Sequence, residues 1–207
     1  MIFQRNETFS GYLKAYPVTS VILAMNLVVF LLDHWALDRM LSNWGAFFQN
    51  PYFDLYGLGE PWRYVTSIAL HASWDHLLFN SFSILIFAPP LERLLGHFRY
   101  LVYYLLAGIA GNALTAIVNA GSVYGSLGAS GAIYGLFGAY LFLAIFRKFA
   151  LDEATRKTIF ISIAFGVIYS IIVPNINIWA HLGGALAGFG LMGLFVASIT
   201  RKYKRGT

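Results

Sequence analysis

The sequence predicts an all-α membrane protein, a bundle of six transmembrane helices with a long interfacial first loop. Hydrophobic residues make up 58% of the 207 positions and charged residues only 11%, and the mean hydropathy is +0.66. A soluble domain carries about 25% charged residues. Because so few polar side chains remain to cover a water-exposed surface, the lipid bilayer must be the main solvent.

Six apolar segments are each long enough to cross roughly 30 Å of hydrocarbon at about 1.5 Å per residue. They lie near residues 18–37, 75–95, 99–119, 130–147, 156–174 and 179–199. Residues 38–74 form the long first loop, whose many aromatic side chains are typical of the membrane interface. We therefore divide the chain into an N-terminal tail (1–17), a six-span domain (18–200) and a basic C-terminal tail (201–207).

The basic residues predict the orientation of these spans. Twelve of the 14 Lys and Arg residues fall in one set of connecting segments, and only Arg39 and Arg63 fall in the alternate set. The twelve are Arg5, Lys14, Arg93, Arg99, Arg147, Lys148, Arg156, Lys157, Arg201, Lys202, Lys204 and Arg205. By the positive-inside rule both termini are cytoplasmic, and the net charge of +5 reports topology rather than a nucleic-acid partner.

The N-terminal segment has neither a signal-peptide pattern nor the features of a transit peptide, so we expect the first span to be retained. We expect a multi-pass protein of a bacterial plasma membrane. The sequence contains no cysteine, which excludes disulfides, thiol catalysis and cysteine-ligated zinc.

Polar residues open three alternate spans, all of which run from the outer face inward. His76 and Asn80 open the second span, Ser130 the fourth and His181 the sixth. Counted from the charges at the inner end of each helix, these positions lie about 24 to 30 Å above the inner boundary. His76 and Asn80 are four residues apart and share a helix face. A lone Ser or His in a span often only forms a hydrogen bond to a neighbouring helix. Here, however, several polar side chains lie at the same depth in the membrane, as a site built from several helices requires.

Glycine pairs predict which of these helices meet. Gly131 and Gly135 are four residues apart on the fourth span, and Gly184 and Gly188 are four apart on the sixth. Such pairs allow two helix backbones to approach closely. Close contact between these two spans brings the serine and the second histidine together.

The motifs resemble those of the rhomboid family of intramembrane serine proteases. The resemblance extends from about residue 62 to residue 188, and the six-span count matches the simple prokaryotic form. The motifs occur in the expected order: Trp62-Arg63, His76-Leu77-Leu78-Phe79-Asn80, Glu92-Arg93 with Gly96, Gly128-Ala129-Ser130-Gly131, and Ala180-His181-Leu182-Gly183-Gly184 with Gly188.

The resemblance implies a rhomboid bundle in which Ser130 attacks the scissile carbonyl and His181 takes its proton. It implies that His76 and Asn80 donate hydrogen bonds to the oxyanion. Tyr134 is expected to support the dyad by stacking on the imidazole, since the apolar parts of the fourth and sixth spans contain no acidic residue. Five glycines are expected to allow close helix packing: Gly128, Gly131, Gly135, Gly184 and Gly188.

The resemblance also implies the substrates and their entry. We expect transmembrane segments of single-span proteins to be cut near the outer membrane boundary, with the lipid bilayer as the other partner and with no cofactor, metal or nucleic acid. The fifth span and the short loop after it are the expected gate for lateral entry. His71 and Asn119 are candidates for the polar rim of the site.

Three other functions stay open. A metalloprotease is disfavoured because His71 and His76 are five residues apart and the sequence has no His-Glu-x-x-His motif. A transporter or proton channel is compatible with buried His and Asn residues, but no inverted repeat is visible. A catalytically silent rhomboid-like protein that binds transmembrane helices is the third alternative.

Overall fold

The fold is a bundle of long apolar helices, seen in a computed structural model that describes residues 2–4, 6–147 and 151–205, with side chains up to residue 198. Within these residues, five helices are long and apolar enough to cross a membrane, and Ser130–Phe146 is a shorter apolar helix of 17 residues. The predicted six-helix membrane bundle is confirmed. Arg5 and Lys148 of the predicted inner basic set, and residues 206–207 of the predicted C-terminal tail, lie outside the described residues.

The order of elements agrees with the predicted spans, apart from a small β-ribbon that the sequence analysis did not predict. In chain order the elements are α1 (Phe9–Ala15), α2 (Pro17–Leu31), α3 (Met40–Gly45), β1 (Phe47–Gln49), α4 (Arg63–Thr66), α5 (Trp74–Leu95), α6 (His97–Val118), β2 (Tyr124–Ser126), α7 (Ser130–Phe146), α8 (Glu153–Ile172) and α9 (Ile178–Arg205). A π-helical turn, Leu32–Ala36, extends α2, and a 3₁₀ turn, Ser67–Ala69, follows α4.

Helix α7 lies at the centre of the bundle, in contact with α5, α6, α8 and α9. Its residues are buried on all sides, among them Ala132, Leu136 and Tyr140, as expected for a helix that is apolar all round. In contrast, the buried residues of α8 are Thr155, Ile159 and Ser170. Most of the surface of α8 therefore faces the surroundings of the protein.

The backbones of α7 and α9 are in direct contact at glycines. A Cβ atom on Gly184 would collide with the carbonyl oxygen of Gly131, and one on Gly188 would collide with that of Gly135. The Tyr103 hydroxyl of α6 lies 2.9 Å from the Gly135 oxygen and 2.7 Å from the Gly188 oxygen. One buried phenol thus ties three helices together where their backbones are closest.

A buried carboxylate joins three helices near the C-terminal end of α5. Glu92 of α5 accepts hydrogen bonds from the Val18 and Thr19 amides, both at 2.9 Å, and from the Thr19 hydroxyl at 2.6 Å. Its other contact is His97 Nδ1 of α6, at 2.7 Å. Because the first amides of a helix have no intrahelical partner, Glu92 caps α2 from a neighbouring helix.

Arg63 organises the first loop. Its guanidinium donates hydrogen bonds to the carbonyl oxygens of Asn43 at 3.0 Å and Ala46 at 2.8 Å, and to the Glu60 carboxylate at 2.7 Å. These bonds satisfy carbonyls at the end of α3. Strand β1 follows immediately and pairs antiparallel with β2, so the first loop supports the segment that leads into α7.

The contact between α7 and α9 predicts that alanine substitutions at two glycines of α9 affect stability differently. A methyl group on Gly188 would meet the backbone of α7, whereas a Cβ on the exposed Gly190 has no atom within 4 Å. We expect Gly188→Ala to lower the free energy of unfolding by about 1–3 kcal/mol through overpacking. Gly190→Ala is the matched control and should be neutral or slightly stabilising. Thermal unfolding in detergent micelles measures both variants, and equal midpoints would contradict this account.

Candidate active site

Ser130 is the first residue of α7, half-buried at the end of a glycine-containing turn. The turn depends on Gly128, whose φ of 136° is rarely adopted by residues with side chains. The Gly128 amide donates a 2.9 Å hydrogen bond to the Ser67 carbonyl oxygen in the first loop. The amides of the first turn of α7 have no intrahelical acceptors, so the end of the helix at Ser130 favours negative charge.

His76 and Asn80 of α5 lie against this turn. A Cβ atom on Gly128 would be 2.7 Å from His76 Nε2 and 3.8 Å from Asn80 Nδ2. The Ala72 amide is 3.5 Å from His76 Nδ1, which favours the tautomer that carries its proton on Nε2. Asn80 Nδ2 is buried, and no described residue accepts a hydrogen bond from it. Two side-chain donors thus face the backbone just before Ser130.

His181 is buried in the first turn of α9, against Tyr134 of α7. The two rings stack with their centroids 4.0 Å apart and their planes inclined by 8°. The start of α9 is capped by Asn177, whose side-chain oxygen accepts a 3.0 Å hydrogen bond from the Ala180 amide. Thr115 of α6 holds the Asn177 side chain in turn, with a donor–acceptor distance of 3.0 Å. This cap fixes the position of His181.

Ser170 of α8 is a polar neighbour of His181 that the sequence analysis missed. Its Oγ lies 2.7 Å from His181 Nδ1 and 2.6 Å from the Tyr134 hydroxyl oxygen. Both hydroxyls also reach the Gly166 carbonyl oxygen, at 2.7 Å from Ser170 and 2.5 Å from Tyr134. The available signal was its position near the C-terminal end of the fifth span, shortly before the start of the helix that carries His181.

The predicted residues gather around one helix contact. A Cβ on Gly131, the residue after Ser130, would lie 3.4 Å from the carbonyl oxygen of Ala180, the residue before His181. Ser130 and His181 therefore flank the same close approach of α7 to α9. The arrangement combines a hydroxyl, an imidazole and nearby amide and imidazole donors, which is the set of groups that acyl transfer requires.

Two further polar candidates have different environments. His71 is 1% exposed, and its ring lies edge-on to that of His76 with the centroids 5.1 Å apart. Asn119 directly follows α6; its side-chain amide donates to the Thr115 carbonyl oxygen, and its backbone carbonyl accepts from the Gln49 side chain. Among the described residues, no group of three or more His, Asp or Glu side chains is arranged to hold a metal ion.

Comparison with known proteins points to one family. The model of the Rhomboid domain matches residues 58–198. The chain is 41% identical over 206 residues to "Putative rhomboid protease YdcA" of Bacillus subtilis, covering 98% of this chain and all of that protein. It is 36% identical to Rhomboid protease GluP of the same organism over 66% of this chain and 26% of GluP. RHOMBOID-like protein 1 of Arabidopsis thaliana is 36% identical over 70% of this chain and 36% of its own length.

His71 predicts a pH-dependent stability. Burial, and to a smaller extent His76, lower the pKa of His71 from 6.5 to about 3. The unfolded chain therefore binds a proton at this residue as the pH falls below 6.5, while the folded chain does not until about pH 3. We expect the free energy of unfolding to fall by about 2 kcal/mol between pH 7 and pH 5 on this account.

His71→Leu should remove this contribution. Thermal unfolding of wild type and variant in detergent at pH 7 and pH 5 measures this contribution. Only the change in stability between the two pH values is compared, so a difference in stability that is the same at both pH values has no effect. An unchanged pH dependence in His71→Leu would show that other groups account for it.

Proposed function

The chain belongs to the rhomboid family, and we propose that it is a serine endopeptidase that cleaves transmembrane segments of single-span membrane proteins near the outer membrane boundary. The observation that carries the proposal is the close approach of Gly131 to Ala180, with Ser130 and His181 on either side of it. The relatives that are named as rhomboid proteases support the class of reaction.

In the proposed reaction, Ser130 and His181 act as a nucleophile and its base. Nδ1 of His181 is occupied by Ser170, so the base is Nε2, which accepts the Ser130 proton as Oγ bonds to the carbonyl carbon. The imidazolium then gives this proton to the leaving amine. Water hydrolyses the acyl-enzyme in a second step that uses the same base.

The proposed oxyanion site combines Asn80 Nδ2, His76 Nε2 and the Ser130 amide. The support is the position of the two side chains over Gly128 and the lack of an acceptor for Asn80 Nδ2 among the described residues. Donors that are already oriented need no reorganisation when charge develops, and losing one typically costs about 10²–10³ in rate.

The short central helix supports a cut near the outer boundary. The 17 residues of α7 span about 25 Å, less than the roughly 30 Å of hydrocarbon. When the inner end of α7 lies at the cytoplasmic boundary of the membrane, Ser130 lies just below the outer boundary. Water reaches the acyl-enzyme there from outside. The proposed orientation has both termini in the cytoplasm of a bacterial cell and rests on the distribution of Lys and Arg.

Cleavage of a fluorescent transmembrane substrate by the purified protein tests this function. We expect Ser130→Ala to abolish cleavage, and His181→Ala to be nearly as damaging because the pair acts as a unit. Ser122→Ala, at an exposed position eight residues before Ser130, is the control and should match wild type. If Ser130→Ala cleaves as well as wild type, the proposal is wrong.

Substrate binding and covalent labelling distinguish the protease from the catalytically silent alternative. A protein that only binds transmembrane helices would retain the substrate peptide but leave it intact, and its Ser130 would not react with a fluorophosphonate probe. Covalent labelling of wild type and not of Ser130→Ala supports the protease.

The substrate preference is a second prediction. The scissile segment must leave its helix to present an extended backbone, and each glycine weakens a helix by about 1 kcal/mol relative to alanine. Two glycines together amount to about 2 kcal/mol, so we expect an all-leucine transmembrane segment to be cleaved about 30-fold more slowly than the same segment with two central glycines. Equal rates in the same proteoliposomes would contradict this requirement.

A further inference from the structure

We propose that Ser170 is a positioning residue for His181, and that its hydroxyl holds the imidazole in the tautomer whose Nε2 is free to accept a proton. This inference rests on the proposed function and deepens it. It adds a third side chain, from α8, to a pair that lies on α7 and α9.

Ser170 is buried near an end of α8 where its neighbours are exposed. It is 7% exposed, while its neighbours Ile168, Ile171 and Ile172 are exposed. A serine that turns inward from a largely exposed apolar helix needs partners for its hydroxyl, because an unpaired polar group is costly in a low-dielectric interior. Its partners are His181, Tyr134 and Gly166.

The number of protons in this cluster favours one tautomer. Ser170 has one hydroxyl proton, and the Gly166 carbonyl oxygen, 2.7 Å away and four residues earlier, can only accept. With its proton donated there, Ser170 offers only lone pairs to His181 Nδ1, at 2.7 Å. Nδ1 must then carry the proton of the neutral imidazole, which leaves the lone pair on Nε2.

The Tyr134 hydroxyl completes the cluster. It lies 2.6 Å from Ser170 Oγ and donates either to this atom or to the Gly166 oxygen. Neither arrangement requires the Ser170 proton to point at His181. Tyr134 therefore acts on the imidazole in two ways. Its ring stacks on that of His181, and its hydroxyl is hydrogen-bonded to Ser170.

A hydroxyl suits this position better than a carboxylate. No described Asp or Glu side chain is hydrogen-bonded to His181, and an ionised carboxylate buried among apolar helices is expensive. Ser170 accepts from Nδ1–H in the neutral ring and still accepts from it when His181 becomes an imidazolium. It orients the base and supports its charged form without adding a permanent charge.

Three variants test the role by kinetics. We expect Ser170→Ala to lower kcat about tenfold with little change in KM, because the orientation of the base matters in the chemical step. Ser170→Thr keeps the hydroxyl and should restore most of the activity. Ser162→Ala, on the same helix and partly exposed, is the matched control and should match wild type. An unchanged kcat in Ser170→Ala, or a rise in KM alone, overturns the proposal.

A spectroscopic measurement tests the tautomer without relying on cleavage. Nitrogen-15 NMR reports which imidazole nitrogen carries the proton, and the His181→Gln variant assigns the His181 signals. In the Ser130→Ala protein we expect the His181 proton on Nδ1. Adding Ser170→Ala should remove this preference for the Nδ1–H tautomer. A dominant Nε2–H tautomer in the Ser130→Ala protein overturns the role of Ser170. Absence of Ser130-dependent cleavage by wild type would instead overturn the proposed function, so the two failures are distinguishable.

Discussion

The direct backbone contact between α7 and α9 is the constraint on which the rest of the structure depends. It exists because glycines face carbonyl oxygens on the opposing helix, at Gly184 against Gly131 and at Gly188 against Gly135. Helices in lipid gain no hydrophobic driving force from association, so close packing and hydrogen bonds hold them together. Tyr103 supplies such bonds at the closest point. The same approach brings together the helix ends that carry the candidate catalytic side chains.

The site is organised by neutral polar groups, which is what the low dielectric of its surroundings favours. His181 is oriented by a stacked ring and a serine hydroxyl, and the start of its helix is capped by the amide of Asn177. The carboxylate of Glu92 lies at the opposite end of α5, where it caps α2. The first loop holds the turn before α7 through Ser67 and the β1–β2 ribbon.

The sequence analysis predicted the helices and the candidate site residues because each is encoded locally, and the helices are confirmed. Span lengths follow from uninterrupted apolar runs, and the shared depth of Ser130, His76 and His181 follows from counting along helices. The stacking of Tyr134 on His181 was expected from its spacing and from the family pattern, and the rings are parallel. Ser170 was missed because its partners His181 and Tyr134 lie on other helices, and a single serine in a span has no local signature of such a bond. Asn177 caps its own helix at Ala180, a local signal that the sequence analysis did not use.

The sequence by itself predicted a membrane protein built from six apolar helices, and it named the side chains that we propose as reactive groups. These properties depend on composition and on helical periodicity, which are readable along the chain. Only the tertiary structure decided which hydroxyl meets His181 Nδ1, which carboxylate caps α2, and that β1 pairs with β2 next to Gly128. Such pairings join residues that are distant in sequence, and they depend on which helix faces pack against one another.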